Sequence, residues 1–288
     1  MKLSGEAKII LGSTMFAIIP ICVKLAPGFG IESLLFGRIF FASLIFFAIF
    51  KNKSSLFKLS SNDLRLLITW AFIMSLAMLT YFYAIRFCGA AISSALLGIQ
   101  PVMIVLLAYL VLREFITKRS IYAVILTVVG ILLVSNFNST TINSNALLGE
   151  CLAIISAFLL SINFIYQKKY LKHFDSQKLV FYQSVFQLPI FFPFLIKDYT
   201  PINFSYISVS LILGIFCTVI AYTLIYKGAS EVDAQKIGVL QSIEYVLPVI
   251  IGYYLFNEKI NLINLLGVCL IILSCIIINF TSRNVKLV

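Results

Sequence analysis

Charged residues are scarce in this chain of 288 residues: Asp, Glu, Lys and Arg together make up 11% of it. A soluble protein needs more polar side chains than this to cover its surface. Hydrophobic residues instead make up 61%, including 26 Phe, and the mean hydropathy is +1.05. The composition therefore excludes an ordinary soluble domain and indicates that lipid surrounds most of the chain.

Residues that carry metal or redox chemistry are also few. The chain has one histidine, His173, and six cysteines that form no CxxC pair. It contains neither a GxxxxGK[ST] segment for nucleotide phosphates nor an HExxH pair for zinc. We therefore expect no metal, no cofactor and no catalytic residues, so the chain is predicted not to be an enzyme. A channel is disfavoured because rings of like charge and a repeated filter sequence are missing.

Long apolar runs dominate the chain. A helix needs about 20 apolar residues to cross the bilayer core, and lipid requires every backbone amide to be satisfied within the segment. The sequence therefore predicts an all-α integral membrane protein with ten transmembrane helices. The predicted spans are residues 9–26, 31–50, 64–86, 91–112, 119–136, 147–166, 176–196, 206–226, 234–256 and 261–280.

The basic residues are distributed unevenly between the two sets of loops. With the N-terminus in the cytoplasm, 17 of the 22 Lys and Arg residues fall on the cytoplasmic side. The positive-inside rule then places both termini there. This bias accounts for the net charge of +11 without a nucleic-acid partner. The Ile, Asn and Lys usage is typical of an AT-rich bacterial genome, which predicts a multi-pass protein of the bacterial inner (plasma) membrane.

The two halves of the chain resemble each other at a shift of 144 residues. Gly5 then falls on Gly149, and Gln100 falls on Glu244. Each copy holds five spans, and this odd number forces the copies to enter the membrane in opposite orientations. Inverted repeats are typical of alternating-access carriers, which bind substrate between the halves near the midplane. We predict repeats at residues 1–137 and 147–282, a linker at 138–146 and a cytoplasmic tail at 283–288.

Two related segments carry a family resemblance. SSALLGIQPVMIVLLAYLVLRE (Ser93 to Glu114) and VLQSIEYVLPVIIGYYLFNE (Val239 to Glu258) resemble the drug/metabolite transporter superfamily, specifically its EamA-type members. The resemblance implies a ten-helix carrier whose fourth and ninth helices hold an acidic residue or Pro early and end in Glu. It also implies a basic residue late in the first helix and an Arg early in the second, and Lys24 and Arg38 occupy those places.

An acidic residue lies inside the ninth predicted span, where a charge costs about 3 kcal/mol. Gln241, Glu244 and Pro248 are spaced to share one helical face. We interpret Glu244 as a protonatable or amine-binding carboxylate in a central cavity; the alternative is a structural hydrogen bond or an ion pair, with Arg38 as a possible partner. The chain departs from the family pattern because Gln100 stands where the fourth helix is often acidic.

Arg38 lies about eight residues into its span, too deep to reach water easily. It suits a substrate carboxylate or phosphate, and it equally suits a clamp between helices. Lys24 is nearer a helix end, where its chain can extend to the interface. The further candidate substrate-binding residues are Gln100, Asn163, Gln183, Tyr222 and Tyr81.

Other residues receive structural interpretations. Trp70, Tyr83 and Tyr226 are predicted to anchor their helices at the membrane interface. Two helix-ending carboxylates and two prolines are predicted to serve gates or helix contacts; they are Glu114, Glu258, Pro101 and Pro248.

These features together predict a secondary transporter for a small polar metabolite, most simply an amino acid or an amino-acid derivative. S-adenosylmethionine or another nucleoside-like metabolite is the alternative substrate. Protons are a possible coupling ion, and both a monomer and a homodimer stay open.

Overall fold

The computed structural model describes residues 3–50, 59–113, 116, 118–134, 144–197, 202–232, 237, 240–256 and 262–281. Ten helices can be followed along these residues, which contain no strand. They are α1 (Gly5–Leu25), α2 (Ile31–Ile49), α3 (61–88), α4 (90–112), α5 (Lys118–Val134), α6 (Ser144–Tyr170), α7 (Ser176–Lys197), α8 (Phe204–Ala229), α9 (Ile243–Phe256) and α10 (Leu262–Thr281).

The described helices suit a membrane in both length and surface. Six helical stretches are long and apolar enough to cross a bilayer: α1, α2, the run Ser61–Leu97, α6, α7 and α8. Their outward faces expose large apolar side chains, such as Phe40, Phe72 and Phe158, which lipid would cover. The prediction of an all-α membrane protein is confirmed.

Several helices are interrupted at identifiable residues. Gly89 separates α3 from α4 with φ 86° and ψ 170°, a conformation that favours glycine. The spans predicted at 64–86 and 91–112 leave only residues 87–90 to connect them, and the structure confirms this tight connection. In α1 the helix is broken at Ala17, three residues before Pro20. Pro20 has no N–H for the Phe16 carbonyl and its ring crowds that oxygen, which explains the break.

Two π-helical segments were not predicted. They cover Ala108–Leu112 at the end of α4 and Ile215–Ile220 within α8. A π-helix shifts the hydrogen-bond partners of its carbonyl groups and is frequent at functional positions. The segment in α8 lies next to Arg38, as shown below.

The helices pack according to a pseudo-two-fold relationship between the halves. Each helix of α1–α5 has its counterpart five helices later, in α6–α10. When each helix is exchanged with its counterpart, two contacts map onto themselves because they join a helix to its own counterpart: that of α2 with α7 and that of α5 with α10. The same exchange turns the contact of α3 with α6 into that of α8 with α1. It also turns the contact of α2 with α8 into that of α7 with α3. The ten helices form two inverted five-helix repeats.

Two equivalent glycines mark this symmetry in detail. A Cβ atom on Gly149 would come within 2.8 Å of residues 87–88, and one on Gly5 would come within 2.9 Å of residues 231–232. Both glycines and both contacted pairs are 144 residues apart. The duplication therefore extends from sequence to individual helix contacts.

Some predicted features fall outside the described residues. They are Glu114, Glu258, most of the linker at 138–146 and the tail at 283–288. The exact division into domains stays a prediction. The described part of α9 begins at Ile243, later than the predicted start at 234, and α8 extends to Ala229 rather than 226.

Candidate functional site

A narrow internal cavity, which we call the central chamber, lies among α1, α3, α4, α6, α8 and the start of α9. Each repeat contributes three of these helices. The volume is about 40 Å³, which leaves room for water but not for a metabolite. The lining residues are Phe16, Ile19, Met74, Met78, Tyr81, Gln100, Leu160, Asn163, Phe164, Tyr222, Ile225, Tyr226, Gln241 and Glu244.

The lining of the chamber follows the duplication. Five pairs of lining residues are 144 positions apart, so each pair occupies equivalent places in the two repeats. The pairs are Phe16 with Leu160, Ile19 with Asn163, Met78 with Tyr222, Tyr81 with Ile225, and Gln100 with Glu244. The chamber therefore lies at the interface where the inverted repeats meet.

Two buried hydrogen-bond acceptors line the chamber without a partner. Glu244 is 7% exposed, and among the described residues no hydrogen bond or ion pair reaches its carboxylate. Gln241 is 5% exposed, and its Oε1 has no partner within the same part of the chain. Pro248 also lacks the N–H that would bind the backbone carbonyl of Glu244. Unsatisfied buried acceptors are costly, which makes this end of α9 suited to a ligand that donates hydrogen bonds.

Gln100, the equivalent of Glu244, is held by neighbouring side chains. Its Oε1 accepts a 2.7 Å hydrogen bond from the Tyr245 hydroxyl, and its carbonyl accepts one from Ser161 at 3.3 Å. α4 is interrupted by turns at residues 98–99 and resumes as the segment Gln100–Leu107, so Pro101 lies in the first turn of that segment, where its missing N–H leaves no hydrogen bond unmade. The amide oxygen of Gln100 is thus already used, whereas the carboxylate of Glu244 is not.

Asn163 joins α6 to α3 through a reciprocal pair of hydrogen bonds. Its Nδ2 donates to the Trp70 carbonyl at 2.9 Å, and the indole Nε1 of Trp70 donates to the Asn163 carbonyl at 3.2 Å. Trp70 is fully buried, and Tyr226, whose ring centroid is 5.7 Å away, is 5% exposed. The prediction that Trp70 and Tyr226 are interfacial anchors is wrong because the Trp70 indole N–H and the Tyr226 hydroxyl both donate hydrogen bonds inside the protein. Tyr83 is half-buried and donates to Glu32.

Arg38 connects the two repeats. Its Nε donates to Thr218 Oγ1 at 2.7 Å and its Nη2 donates to the Cys217 carbonyl at 3.0 Å, both in the π-helical segment of α8. The side chain is 2% exposed, and its ion pair with Glu244, one of the options left open by the sequence, is not formed. The observed geometry is that of a clamp between α2 and α8.

A second, smaller cavity of about 10 Å³ adjoins the chamber and is lined by Arg38 and Gln183. Met74, Met78 and Tyr222 line both cavities. Six of the nine candidate binding residues thus line the chamber, and two more, Arg38 and Gln183, line the adjoining cavity. The ninth, Lys24, lies apart, with its Nζ 4.5 Å from the ring centre of Phe256.

Sequence reasoning missed the apolar residues of the lining, because an apolar residue inside an apolar span does not stand out from its neighbours. The duplication could have found Met78 and Ile225, because they lie 144 residues from the candidates Tyr222 and Tyr81.

A larger opening, which we call the vestibule, leads toward the chamber from one end of the bundle. Its volume is about 520 Å³, and Tyr226 lines both the vestibule and the chamber. The other vestibule residues are Lys8, Gln167, Lys168, Lys172, Phe174, Asp175, Ser176, Leu179, Lys227, Ala229, Ser230 and Glu231.

At the opposite end, the loop between α1 and α2 is tied to α3. The guanidinium of Arg86 donates to the carbonyls of Ala26, Pro27 and Phe29 at 3.0 to 3.4 Å. The structure therefore combines a tied loop at one end, a closed chamber in the middle and an open vestibule at the other end.

Inverted five-helix repeats around a shared polar chamber define a membrane transporter of the drug/metabolite type. Two copies of the EamA-like transporter family model match residues 3–136 and 147–280, and the chain belongs to this family.

Relatives are similar along most of the chain. One is the "Uncharacterized transporter YetK" of Bacillus subtilis (strain 168), 25% identical over 94% of this chain and 82% of its own length. Another is an "Uncharacterized transporter" of Helicobacter pylori (strain J99 / ATCC 700824), 27% identical over 96% and 94%. A solved structure titled "Crystal structure of protein" shares the fold, with a TM-score of 0.70 at 15% identity over 98% of each chain.

Proposed function

We propose that this protein is a secondary transporter that moves a small zwitterionic metabolite, an amino acid or an amino-acid derivative, by alternating access. The observation that carries the proposal is that Glu244 and Gln241 line a chamber between inverted repeats, where neither the Glu244 carboxylate nor Gln241 Oε1 accepts a hydrogen bond from the residues that the structure describes. We place the protein in the bacterial inner membrane with both termini in the cytoplasm, in accord with the distribution of its basic residues.

The chamber suits a substrate with an amino group. An ammonium group would satisfy the Glu244 carboxylate and the Gln241 oxygen together. Aromatic faces of Tyr81 and Tyr222 line the same cavity and favour a cation. Because Tyr245 already donates to the oxygen of Gln100, we assign the NH₂ group of Gln100 to the substrate's carboxylate.

The aromatic and sulfur-containing lining also favours a second candidate, S-adenosylmethionine or a related nucleoside-like metabolite. Met74, Met78 and Phe16 line the chamber beside the tyrosines and would contact a flat base. A sulfonium centre would be attracted to the same aromatic faces as an ammonium group. The two candidates differ in size, and the chamber must widen more for the larger one.

Glu244 is the group through which we propose coupling to protons. A proton and a substrate amine compete for one carboxylate, so its protonation favours substrate release and its deprotonation favours binding. The chamber is too small for substrate in the observed state, and rocking of the repeats would enlarge it. The chamber lies between the two repeats of one chain, so in this proposal a monomer is sufficient and a homodimer would carry two separate pathways.

Transport by the purified protein in liposomes tests this function. A panel of labelled amino acids, S-adenosylmethionine, uncharged sugars and dicarboxylates is offered with and without a pH gradient across the membrane. We expect uptake of at least one zwitterion above the level of protein-free liposomes, with a rate that changes with the pH gradient. Uptake confined to uncharged or purely anionic compounds would contradict the assigned role of Glu244 and Gln241.

A further inference from the structure

We propose that the vestibule is a second binding site for a zwitterion, which holds the carboxylate of the substrate before the substrate enters the chamber. Lys172 and Lys227 bind the carboxylate, and Gln167 accepts a hydrogen bond from the ammonium group. This proposal rests on the proposed function and adds a position on the transport path that is distinct from Glu244.

The vestibule has an excess of positive charge. Four lysines and two acidic residues line it, and one acid, Glu231, is paired with Lys8. The other, Asp175, accepts a hydrogen bond from the backbone of Gln177. Within the described ranges, no carboxylate pairs with Lys172 or Lys227. These two cations are therefore available to an anionic group.

An orphaned amide in the wall indicates a ligand with a hydrogen-bond donor. Gln167, on α6, is 7% exposed, and its Oε1 has no partner among the residues that the structure describes. Gln167 lines the vestibule together with both lysines. Two cations and one buried acceptor are complementary to a carboxylate and an ammonium group on the same small molecule.

The size and position of the vestibule fit such a site. Its volume of about 520 Å³ lies within the range of ordinary ligand sites. Among the described residues, Tyr226 is the side chain common to the linings of the vestibule and the chamber, so a zwitterion bound in the vestibule would lie next to it. The two sites are consecutive along one path.

Lysines on this face also have an explanation without a ligand, because they set the membrane orientation. The control must therefore remove the same number of lysines from the same face of the membrane, at positions outside the vestibule. Lys169 and Lys178 belong to the same predicted cytoplasmic face, and neither lines the vestibule. The double variant Lys169→Gln, Lys178→Gln is matched to Lys172→Gln, Lys227→Gln.

A thiol reporter measures the charge of the vestibule without requiring transport. Ser230 is exposed within it, and Ser230→Cys is made in a chain whose native cysteines are replaced. The thiol is labelled from the vestibule side with an anionic sulfonate and a cationic trimethylammonium methanethiosulfonate. We expect the ratio of the anionic to the cationic labelling rate to be about tenfold higher for the Ser230→Cys thiol than for a free thiol in solution. The preference disappears in the Lys172, Lys227 variant and persists in the control.

Protection by small ligands tests the zwitterion itself. At constant ionic strength, we expect glycine to slow the labelling more than acetate, which has the carboxylate but no ammonium group. Gln167→Met removes this difference. The measurements are made in phosphatidylcholine liposomes and repeated with phosphatidylglycerol, because an anionic lipid headgroup could use the same lysines. Protection by phosphatidylglycerol but not by glycine would overturn the proposal.

Each result separates this site from the proposed function. Loss of the anion preference in both double variants, or its absence in the parent, overturns the vestibule site even if the protein transports amino acids. An intact preference with glycine protection, in a protein that transports no zwitterion, supports the vestibule site and removes the transport proposal alone.

Discussion

The hydroxyl of Tyr226 donates a 2.6 Å hydrogen bond to Oε1 of Gln183, at the point where the vestibule meets the central chamber. The ring of Tyr226 also lies against Trp70, with 5.7 Å between the ring centres. Among the described residues, Tyr226 thus lines both cavities, and it is held in place by a hydrogen bond to Gln183 on α7 and a ring contact with Trp70 on α3.

Removing this hydrogen bond should favour opening of the chamber. Tyr226→Phe keeps the ring and loses a contact worth about 0.5–1.5 kcal/mol, so the closed state weakens by up to about tenfold. The measurement is the labelling rate of a cysteine at Leu160, inside the chamber, with a reagent added from the vestibule side. Tyr170→Phe, at an exposed position, is the control. Equal labelling in Tyr226→Phe and the parent would show that this contact does not close the path.

Neutralising Glu244 should abolish the response of transport to the pH gradient. Glu244→Gln preserves the shape of the side chain but removes its exchangeable proton and its negative charge. Uptake of the substrate should fall by about tenfold or more, and the remaining uptake should be the same with and without the gradient. Glu6→Gln, an exposed change in α1, should behave like the parent. A Glu244→Gln protein with normal, pH-dependent uptake would remove the carboxylate from the mechanism.

Arg38→Lys should lower stability more than it changes substrate affinity. A lysine cannot reproduce the fork that binds Thr218 and the Cys217 carbonyl, and the loss of buried, charge-assisted bonds costs about 2–4 kcal/mol. Thermal unfolding in detergent should show a clear decrease in Tm, with Arg65→Lys, at an exposed site, as the reference. A large rise in KM with unchanged Tm would instead assign Arg38 to the substrate.

Gly149→Ala should destabilise the protein because its methyl group meets a backbone atom. The new Cβ would lie 2.8 Å from the Cys88 nitrogen, and such overpacking costs about 1–3 kcal/mol. Gly5→Ala should also destabilise the protein, since its new Cβ would lie 2.8 Å from the Cβ of Glu231, an atom fixed to the backbone. Gly28→Ala has open space around it and serves as the control. Equal Tm values for Gly149→Ala and Gly28→Ala would contradict the close helix approach.

The membrane orientation can be checked at the two ends of the chain. Epitope tags at the N- and C-termini should both be accessible only from the cytoplasm, as expected from an even number of spans and the bias of basic residues. Protease protection of inverted and right-side-out vesicles gives the measurement. Tags found on opposite faces would be incompatible with ten spans.

The fold could be predicted from the sequence because the sequence patterns that indicate it are strong. Apolar runs about as long as the bilayer is thick predict helices, and the shift of 144 residues predicts the inverted repeats. Gly89 was expected at a tight connection and is found there. The break at Ala17 and the two π-helical segments were not predicted, since hydropathy is insensitive to how a helix distributes its backbone hydrogen bonds.

Only part of the candidate site could be predicted from the sequence. Polar residues within spans, such as Asn163 and Glu244, are costly in lipid and therefore conspicuous, and the structure places both at the chamber. Trp70 and Tyr226 were misassigned because an aromatic residue near a span end gives the same signal at an interface and in a core. The contacts of Arg38 depend on a carbonyl of the π-helical segment, which side-chain patterns do not encode.

The clamp that Arg38 makes between α2 and α8 has no matching guanidinium between α7 and α3 among the described residues. The equivalent position in the second repeat, 144 residues later, is Tyr182, which packs among aromatic rings. A duplicated chain with two identical halves would populate its two opposite conformations equally. Because the link between the repeats is present on one side only, we expect the two conformations of the substrate-free protein to differ in energy, so that the chain's own contacts decide which one is more populated.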